Sequence, residues 1–164
     1  MSLFKVMDTP GVYLVEGPLT NEDILEKAAD ILLERVNHTD VMSDPAQTKA
    51  FLKCKISALE HEVFVALFLD NRHRVIVYKE LFRGTIDGAS VYPREVVKEA
   101  LAVNAAAMII AHNHPSGVAE PSQADKSITK RLKDALEMVD IHLLDHLIFG
   151  SEEIISLAER GILY

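Results

Sequence analysis

The chain has 164 residues, the usual length of one domain, and 49% of them are apolar while 26% are charged. These proportions are typical of a folded globular protein and exclude a disordered or collagen-like chain. The longest strictly apolar runs, Val63–Leu69 and residues 105–111, have seven residues each, whereas a transmembrane helix needs about 20. We therefore expect no membrane association and no signal peptide.

Charge and cysteine content restrict the partners and the compartment. There are 25 Asp and Glu residues against 17 Lys and Arg residues, which gives a formal net charge of −8. Strong binding to duplex nucleic acid is not expected, because it requires a basic face. The one basic cluster, interpreted as a solvated helix face, comprises Lys126, Lys130, Arg131 and Lys133. A single cysteine excludes a disulfide framework and a four-cysteine zinc site, and indicates a reducing, cytoplasmic location.

The predicted elements begin with helices. Residues 1–43 are predicted to form a short N-terminal extension, whose one amphipathic helix covers residues 21–36. Residues 44–164 are predicted to form a larger domain, which opens with a helix from Pro45 to about residue 59.

A hairpin and an alternation of strands and helices follow. Residues 62–69 and 74–82 are rich in β-branched and aromatic side chains and predict two strands joined by a tight turn. The remaining predicted elements are a short strand over 86–91, a helix from Pro93, a buried strand over 106–111, a helix over 122–139, a strand over 141–149 and a closing helix over 154–160. This order predicts a mixed α/β fold with a central mixed sheet and helices on both faces.

Two histidines stand one residue apart at the end of the predicted strand 106–111. Positions i and i+2 of an extended backbone point to the same side, so we expect His112 and His114 to converge beyond the sheet edge. Asp125 lies in the first turn of the next predicted helix. Two imidazoles and one carboxylate with an open fourth position are the ligand set of a catalytic zinc. Iron(II) oxygenases use the same set, mostly in all-β folds, which the alternating pattern here disfavours.

The spacing of these residues, His-x-His, seven residues, Ser, two residues, Asp, resembles the JAMM (MPN+) metallopeptidase motif through His112, His114, Ser122 and Asp125. The segments EVFVALFLDNRHRVI, ELFRGTIDGASVYPREVV, AAMIIAHNHPSG and LLDHLIFG resemble the bacterial RadC-like JAB-domain family over residues 52–164. The resemblance implies a JAB/MPN-like, cytidine-deaminase-like sandwich and a zinc-dependent hydrolase of peptide or isopeptide bonds. It also implies one zinc ion per chain, held by the two histidines and Asp125, with a water as the fourth ligand.

The family motif further implies an upstream glutamate that hydrogen-bonds this water and acts as general base. Glu62 matches the family's Glu-Val-Phe at the start of a strand and is assigned this role, with Glu60 and Glu80 as the other candidates. Ser122 begins a Ser-x-x-Asp capping box with Asp125. We expect its oxygen to cap the helix while its hydroxyl proton serves the substrate oxyanion.

Four other positions carry side chains that could take part in chemistry. Asp145 and His146 are adjacent on a predicted strand and so point to opposite faces, which prevents both from reaching one ion. The interpretations are structural roles or a clamp on a ligand histidine. Cys54 has no obvious base nearby and is expected to be inert. Tyr92 stands where family members commonly have a histidine before Pro-Arg-Glu, which does not affect the zinc ligands.

Other functions remain open at this point. Full-length family members carry an N-terminal helix-hairpin-helix module, whose Gly-centred hairpin is missing from residues 1–50, so the chain resembles a short form. The DNA-repair label of the family gives the alternative function, a DNA-repair-related accessory or nucleic-acid-processing protein. A catalytically idle interaction domain is a third hypothesis. The oligomeric state is left open, a homo-oligomer included.

Overall fold

The computed structural model describes residues 3–37, 40–41, 43–84 and 90–163. Within these residues the chain forms a two-stranded hairpin, a five-stranded sheet and four helices. The elements in chain order are β1 (Phe4–Val6), β2 (Tyr13–Val15), α1 (Asn21–Asn37), α2 (Pro45–Ile56), β3 (Val63–Leu69), β4 (Val75–Arg83), α3 (Pro93–Ala102), β5 (Ala107–Asn113), α4 (Gln123–Glu137), β6 (His142–Phe149) and β7 (Ile154–Ser156). None of the helices described is both long and apolar enough to cross a bilayer.

The five-stranded sheet has the order β4-β3-β5-β6-β7. The pairs β3–β4, β3–β5 and β6–β7 are antiparallel, while β5 and β6 are parallel and connected through α4. Every residue of β3 and β5 is buried, because both faces of these central strands are covered. The carboxyl end of β5 therefore lies in the middle of the sheet, beside the strand that follows α4.

The core is divided by the sheet into two layers. Along β3, alternate side chains point to opposite faces. Val63, Val65, Leu67 and Leu69 pack with buried residues of α1 and α2, namely Ala29, Val36, Phe51, Leu52 and Ile56. Phe64, Ala66 and Phe68 pack with buried residues of α3 and α4, namely Val96, Ala100, Leu132 and Leu136. The predicted mixed α/β sheet with helices on both faces is confirmed.

The predicted closing helix over residues 154–160 is wrong. Ile154–Ser156 instead forms the edge strand β7, paired with β6 in the register Leu147↔Ser156. The Ser156 hydroxyl donates to Asp145 at 2.6 Å, and Ile155 is buried. A short apolar run fits a helix and an edge strand equally well, and pairing with β6 decides between them.

The N-terminal region contains a hairpin that the sequence analysis missed. Phe4 of β1 meets Tyr13 of β2 edge-to-face, and the Lys27 ammonium group of α1 lies 4.4 Å from the Tyr13 ring centroid. Ala29 and Val36 of α1 belong to the same core layer as α2, while the division of the chain at residue 43 stays a prediction. Most of the predicted strand over 86–91 lies outside the described residues.

Candidate metal centre

The candidate site lies where β5 ends and α4 begins. His112 is the second-last residue of β5, and His114 is the first residue after the strand. Asp125 comes from the first turn of α4. The His112 side chain is buried and its ring stacks on Phe64 of β3, with centroids 6.1 Å apart. A strand end and a helix start thus meet at one point of the sheet.

The three predicted ligand side chains converge there. The Nε2 atoms of His112 and His114 are 2.9 Å apart. Asp125 Oδ1 lies 3.2 Å from His112 Nε2, and Asp125 Oδ2 lies 3.4 Å from His114 Nε2. The ligand atoms offered by the three residues are all within 4.8 Å of one another. This is the i, i+2 convergence expected of an extended strand.

A backbone carbonyl fixes the orientation of the His114 ring. His114 Nδ1 lies 2.7 Å from the carbonyl oxygen of Val118. Because a carbonyl only accepts, Nδ1 carries the proton and Nε2 faces the site. The loop returns to His114 through a turn at Gly117, whose amide donates to the His114 carbonyl and whose φ of +85° favours glycine.

The N-terminal cap of α4 orients the Asp125 carboxylate. Asp125 Oδ2 accepts from the Ser122 amide at 2.7 Å and from the Ser122 hydroxyl at 2.6 Å. The Asp125 amide in turn donates to Ser122 Oγ at 3.1 Å, which completes the predicted capping box. The Ser122 hydroxyl differs from our expectation, since it donates its proton to the Asp125 carboxylate instead of leaving it free for a substrate. Oδ1 is left to face His112.

The electrostatics of this cluster suit a bound cation. Burial alone would raise the pKa of Asp125, but the hydrogen bonds from His112 and His114 outweigh it and hold that pKa far below its usual range. The hydrogen bond to Asp125 is also the main reason why the pKa of His114 is raised. Two imidazole nitrogens and a carboxylate oxygen facing one another at these distances are the donor set of a divalent metal such as zinc. The cluster can therefore bind a metal ion.

The ligands line one wall of a surface cleft of about 550 Å³. Other lining residues include Glu62, Phe64, Ser122, Ile128 and Arg131. Of the three candidate glutamates, the structure brings only Glu62 to this cleft. Glu60 instead lines a separate cavity beside α1 and α2, and Glu80 pairs with Arg83 at 2.8 Å.

The residue between the two histidines holds the segment that carries Glu62. The side chain of Asn113 is buried and points away from the metal ligands. Its amide nitrogen donates to the carbonyls of Leu59 and His61 at 3.2 and 3.0 Å, and its Oδ1 accepts from the Val63 amide at 2.8 Å. The sequence analysis did not single out Asn113, because these partners are about 50 residues away along the chain.

Behind His112 lie two buried residues, His146, for which a clamp on a ligand histidine was one of two interpretations, and Thr129, which the sequence analysis did not single out. His146 Nε2 is 2.8 Å from His112 Nδ1, and His146 Nδ1 is 2.6 Å from Thr129 Oγ1. Complete burial lowers the pKa of His146 well below its usual range, so the ring is neutral. Asp145 points to the opposite face, where it accepts from the Ser156 hydroxyl. Of the two interpretations of His146, contact with a ligand histidine is therefore the observed one.

The basic cluster of α4 is partly neutralised by its own helix. Lys130 lies 3.1 Å from Asp134, and Lys133 lies 3.6 Å from Glu137. Arg131 faces the cleft instead. An acidic chain with these internal ion pairs offers no continuous basic face along the described part of α4.

The sequence of this chain is similar to those of known bacterial proteins. Residues 42–162 match the family model described as RadC-like JAB domain. A UPF0758 protein of Marinobacter nauticus is 61% identical over 139 residues, which are 85% of this chain and 62% of that protein. A UPF0758 protein of Vibrio cholerae is 56% identical over 149 residues, which are 91% of this chain and 94% of that protein. The chain therefore spans less than two thirds of the Marinobacter relative and nearly all of the Vibrio one.

Proposed function

This chain belongs to the RadC-like JAB domain family, and we propose that its cleft hydrolyses peptide or isopeptide bonds with one zinc ion per chain. The proposed ligands are His112, His114 and Asp125. The observation that carries the proposal is the approach of their ligand atoms to 2.9–3.4 Å at the wall of a cleft that also contains Glu62. A structural zinc would instead have four protein ligands and no open position.

The ligand residues would hold the ion through nitrogen and oxygen atoms that the fold already orients. Asp125 offers Oδ1, because Oδ2 is occupied by the cap of α4. His114 offers Nε2, because Nδ1 is bonded to Val118. When bound, zinc supplies a Lewis acid that lowers the pKa of a water molecule and polarises a carbonyl group.

Glu62 would move the protons. A carboxylate in the cleft can take a proton from the attacking water and return it to the leaving amine, which is the ordinary work of a general base. Its place beside the ligands and the hold of Asn113 on the adjoining residues support this assignment. Glu60 is less suitable, since it lines another cavity.

Ser122 would stabilise the negative charge that develops on the substrate oxygen. To do so, its hydroxyl proton has to leave Asp125 Oδ2, while the cap formed by the Asp125 amide can persist. We therefore assign Ser122 two tasks, orienting the ligand carboxylate and donating to the oxyanion.

The proposed substrate is a protein or peptide segment that lies in the open cleft. The net charge of −8 and the ion pairs of Lys130 and Lys133 do not favour duplex nucleic acid. The single cysteine is in keeping with a reducing, cytoplasmic compartment.

The first test is the metal content of untagged protein, purified without added zinc and analysed for zinc and iron together. We expect about one zinc per chain in the wild type and none in His112→Ala. His142→Ala is the matched control, because His142 is exposed at the far end of β6. Equal metal in His112→Ala and wild type would refute the site, and stoichiometric iron would refute zinc.

The second test is hydrolysis of a library of peptide and isopeptide bonds by the zinc-loaded protein. Cleavage that is lost in His112→Ala and kept in His142→Ala is the expected result. Salt-dependent binding to branched or single-stranded DNA, without any cleavage of the library, would favour the DNA-repair alternative instead.

A further inference from the structure

A chain of buried hydrogen bonds connects the ring of His112 to the backbone of Asp125. It runs from His112 through His146 and Thr129 to the Asp125 carbonyl. We propose that Thr129 and His146 are positioning residues, which hold His112 in the tautomer that presents an unprotonated Nε2 to the metal. This inference rests on the proposed metal centre and adds to it two residues that bind no metal themselves.

The direction in which these hydrogen bonds donate follows from the last group in the series, the Asp125 carbonyl. The Asp125 carbonyl can only accept a hydrogen bond, and Thr129 Oγ1 lies 2.5 Å from it. The single hydroxyl proton of Thr129 is therefore used on this carbonyl, as is common for a threonine four residues further along a helix. Thr129 Oγ1 then faces His146 with lone pairs only.

The positions of the protons on His146 and His112 follow from the direction of the Thr129 hydroxyl. His146 Nδ1, at 2.6 Å from Thr129 Oγ1, has to donate, so it carries a proton. The ring is fully buried and, among the residues that the structure describes, its two nitrogens face only Thr129 and His112, with no carboxylate to balance a second proton. His146 Nε2 is then an acceptor for His112 Nδ1 at 2.8 Å. His112 Nδ1 carries a proton in turn, which leaves Nε2 as the ring nitrogen that could bind a metal. That atom is the one that faces His114 and Asp125.

Burial keeps this arrangement intact. The exposed fractions are 1% for His112, 0% for His146 and 2% for Thr129, so water has little access to replace any of the bonds. Phe64 covers both rings, with centroids 6.1 Å from His112 and 5.6 Å from His146. In such surroundings an unmade hydrogen bond is costly, which opposes the other set of tautomers.

The two ligand histidines are thus oriented by different means. His114 donates directly to a loop carbonyl, that of Val118. His112 reaches its carbonyl only through His146 and Thr129, and that carbonyl belongs to the third ligand, Asp125. This series of hydrogen bonds therefore connects β5, β6 and α4. It makes the tautomer of His112 depend on the position of Asp125.

The inference is tested first on wild-type protein without metal. Long-range 1H–15N correlation spectra of 15N-histidine-labelled protein identify which nitrogen of each ring carries the proton. We expect His146 to be protonated at Nδ1 and unprotonated at Nε2, and His112 to carry a proton at Nδ1. A His146 ring protonated at Nε2 alone would overturn the inference. This measurement needs no zinc, so it distinguishes failure of the inference from failure of the proposed metal centre.

The second test compares zinc dissociation constants, measured by competition with a chelator. Thr129→Val removes the hydroxyl at nearly constant volume, and we expect the dissociation constant to rise about 10–100-fold, the usual effect of losing a group behind a ligand. Thr129→Ser restores the hydroxyl and should restore the wild-type constant. Thr48→Val is the matched control, because the Thr48 side chain is equally buried but its hydroxyl has no hydrogen-bond partner.

A purely structural role of Thr129 would give a different result. In that case Thr129→Val would lower the melting temperature and leave both the zinc dissociation constant and the His146 tautomer unchanged. That outcome would overturn the inference even if zinc binds to the wild type as proposed.

Discussion

The Oδ1 atom of Asn113 accepts a hydrogen bond from the backbone amide of Val63 at 2.8 Å. The residue between two candidate metal ligands is thereby bonded to the residue that follows the candidate general base, Glu62. The same side chain donates to the carbonyl of His61 on the other side of Glu62. One buried amide group thus fixes the backbone on both sides of Glu62 relative to β5.

We predict that Asn113→Ala destabilises the protein by about 2–3 kcal/mol. The substitution leaves the buried Val63 amide without an acceptor, and an unsatisfied buried group costs roughly 1–3 kcal/mol before the lost packing is added. Urea denaturation measures the change, with exposed Asn71→Ala as the control. A loss for Asn113→Ala no larger than that of the control would show that these hydrogen bonds contribute little.

The second prediction is that Glu62 acts as the general base and does not bind zinc. Glu62→Gln should bind zinc as the wild type does and lose about 10²–10⁴-fold in hydrolysis, since glutamine keeps the shape but takes no proton. Glu60→Gln is the matched control, because Glu60 lines a different cavity. Zinc content and cleavage of the same library substrate are the measurements. Full activity of Glu62→Gln would rule out Glu62 as the base.

Much of the fold and the ligand set could be predicted from local patterns. The run Val63–Leu69 is apolar throughout, and the structure buries it on both faces as a central strand. The convergence of His112 and His114 follows from the period of two along a strand. The cap at Ser122 follows from its spacing to Asp125. Each of these features depends on residues close together in the sequence.

The features that could not be predicted depend on register and pairing. Contact between His146 and His112 requires that β5 and β6 pair in parallel with Ile110 opposite His146, after a register shift beyond Met108. No local pattern specifies that register. In the same way, Ile154–Ser156 becomes a strand only because β6 offers it an edge. The contacts of Asn113 span about 50 residues and depend on the pairing of β3 with β5.

The third prediction concerns Ser122. Ser122→Ala removes the cap of α4 and should lower the free energy of unfolding by about 1 kcal/mol. It also removes one of the two donors that orient Asp125 Oδ2, but we expect stoichiometric zinc to remain. Hydrolysis should fall roughly 10²–10³-fold through the lost oxyanion donor.

Ser122→Thr is the control for this prediction, since threonine keeps both the cap and the hydroxyl. Thermal denaturation, zinc analysis and cleavage assays distinguish the two tasks of Ser122. An unchanged cleavage rate in Ser122→Ala together with a lowered melting temperature would leave Ser122 as a cap alone.

The last prediction concerns Gly150, which directly follows β6 and packs against the loop between the histidines and α4. A Cβ atom at Gly150 would lie 2.5 Å from the Gly117 carbonyl oxygen and 2.9 Å from the Ala119 amide nitrogen. Both are backbone atoms that flank Val118, whose carbonyl orients His114. Gly150→Ala should therefore shift this loop, destabilise the protein by roughly 1–3 kcal/mol through overpacking, and weaken zinc binding.

Gly161→Ala is the matched control because it separates lost stability from a disturbed site. Gly161 has a φ of +68°, and a Cβ atom added there would meet no atom of the described residues within 4 Å, apart from those of its chain neighbours, so alanine costs about 1 kcal/mol of backbone strain without touching the loop. Urea denaturation and chelator competition on both variants should give two destabilised proteins, of which only Gly150→Ala binds zinc more weakly. Equal zinc dissociation constants in the two variants would mean that the Val118 carbonyl does not control the His114 ring.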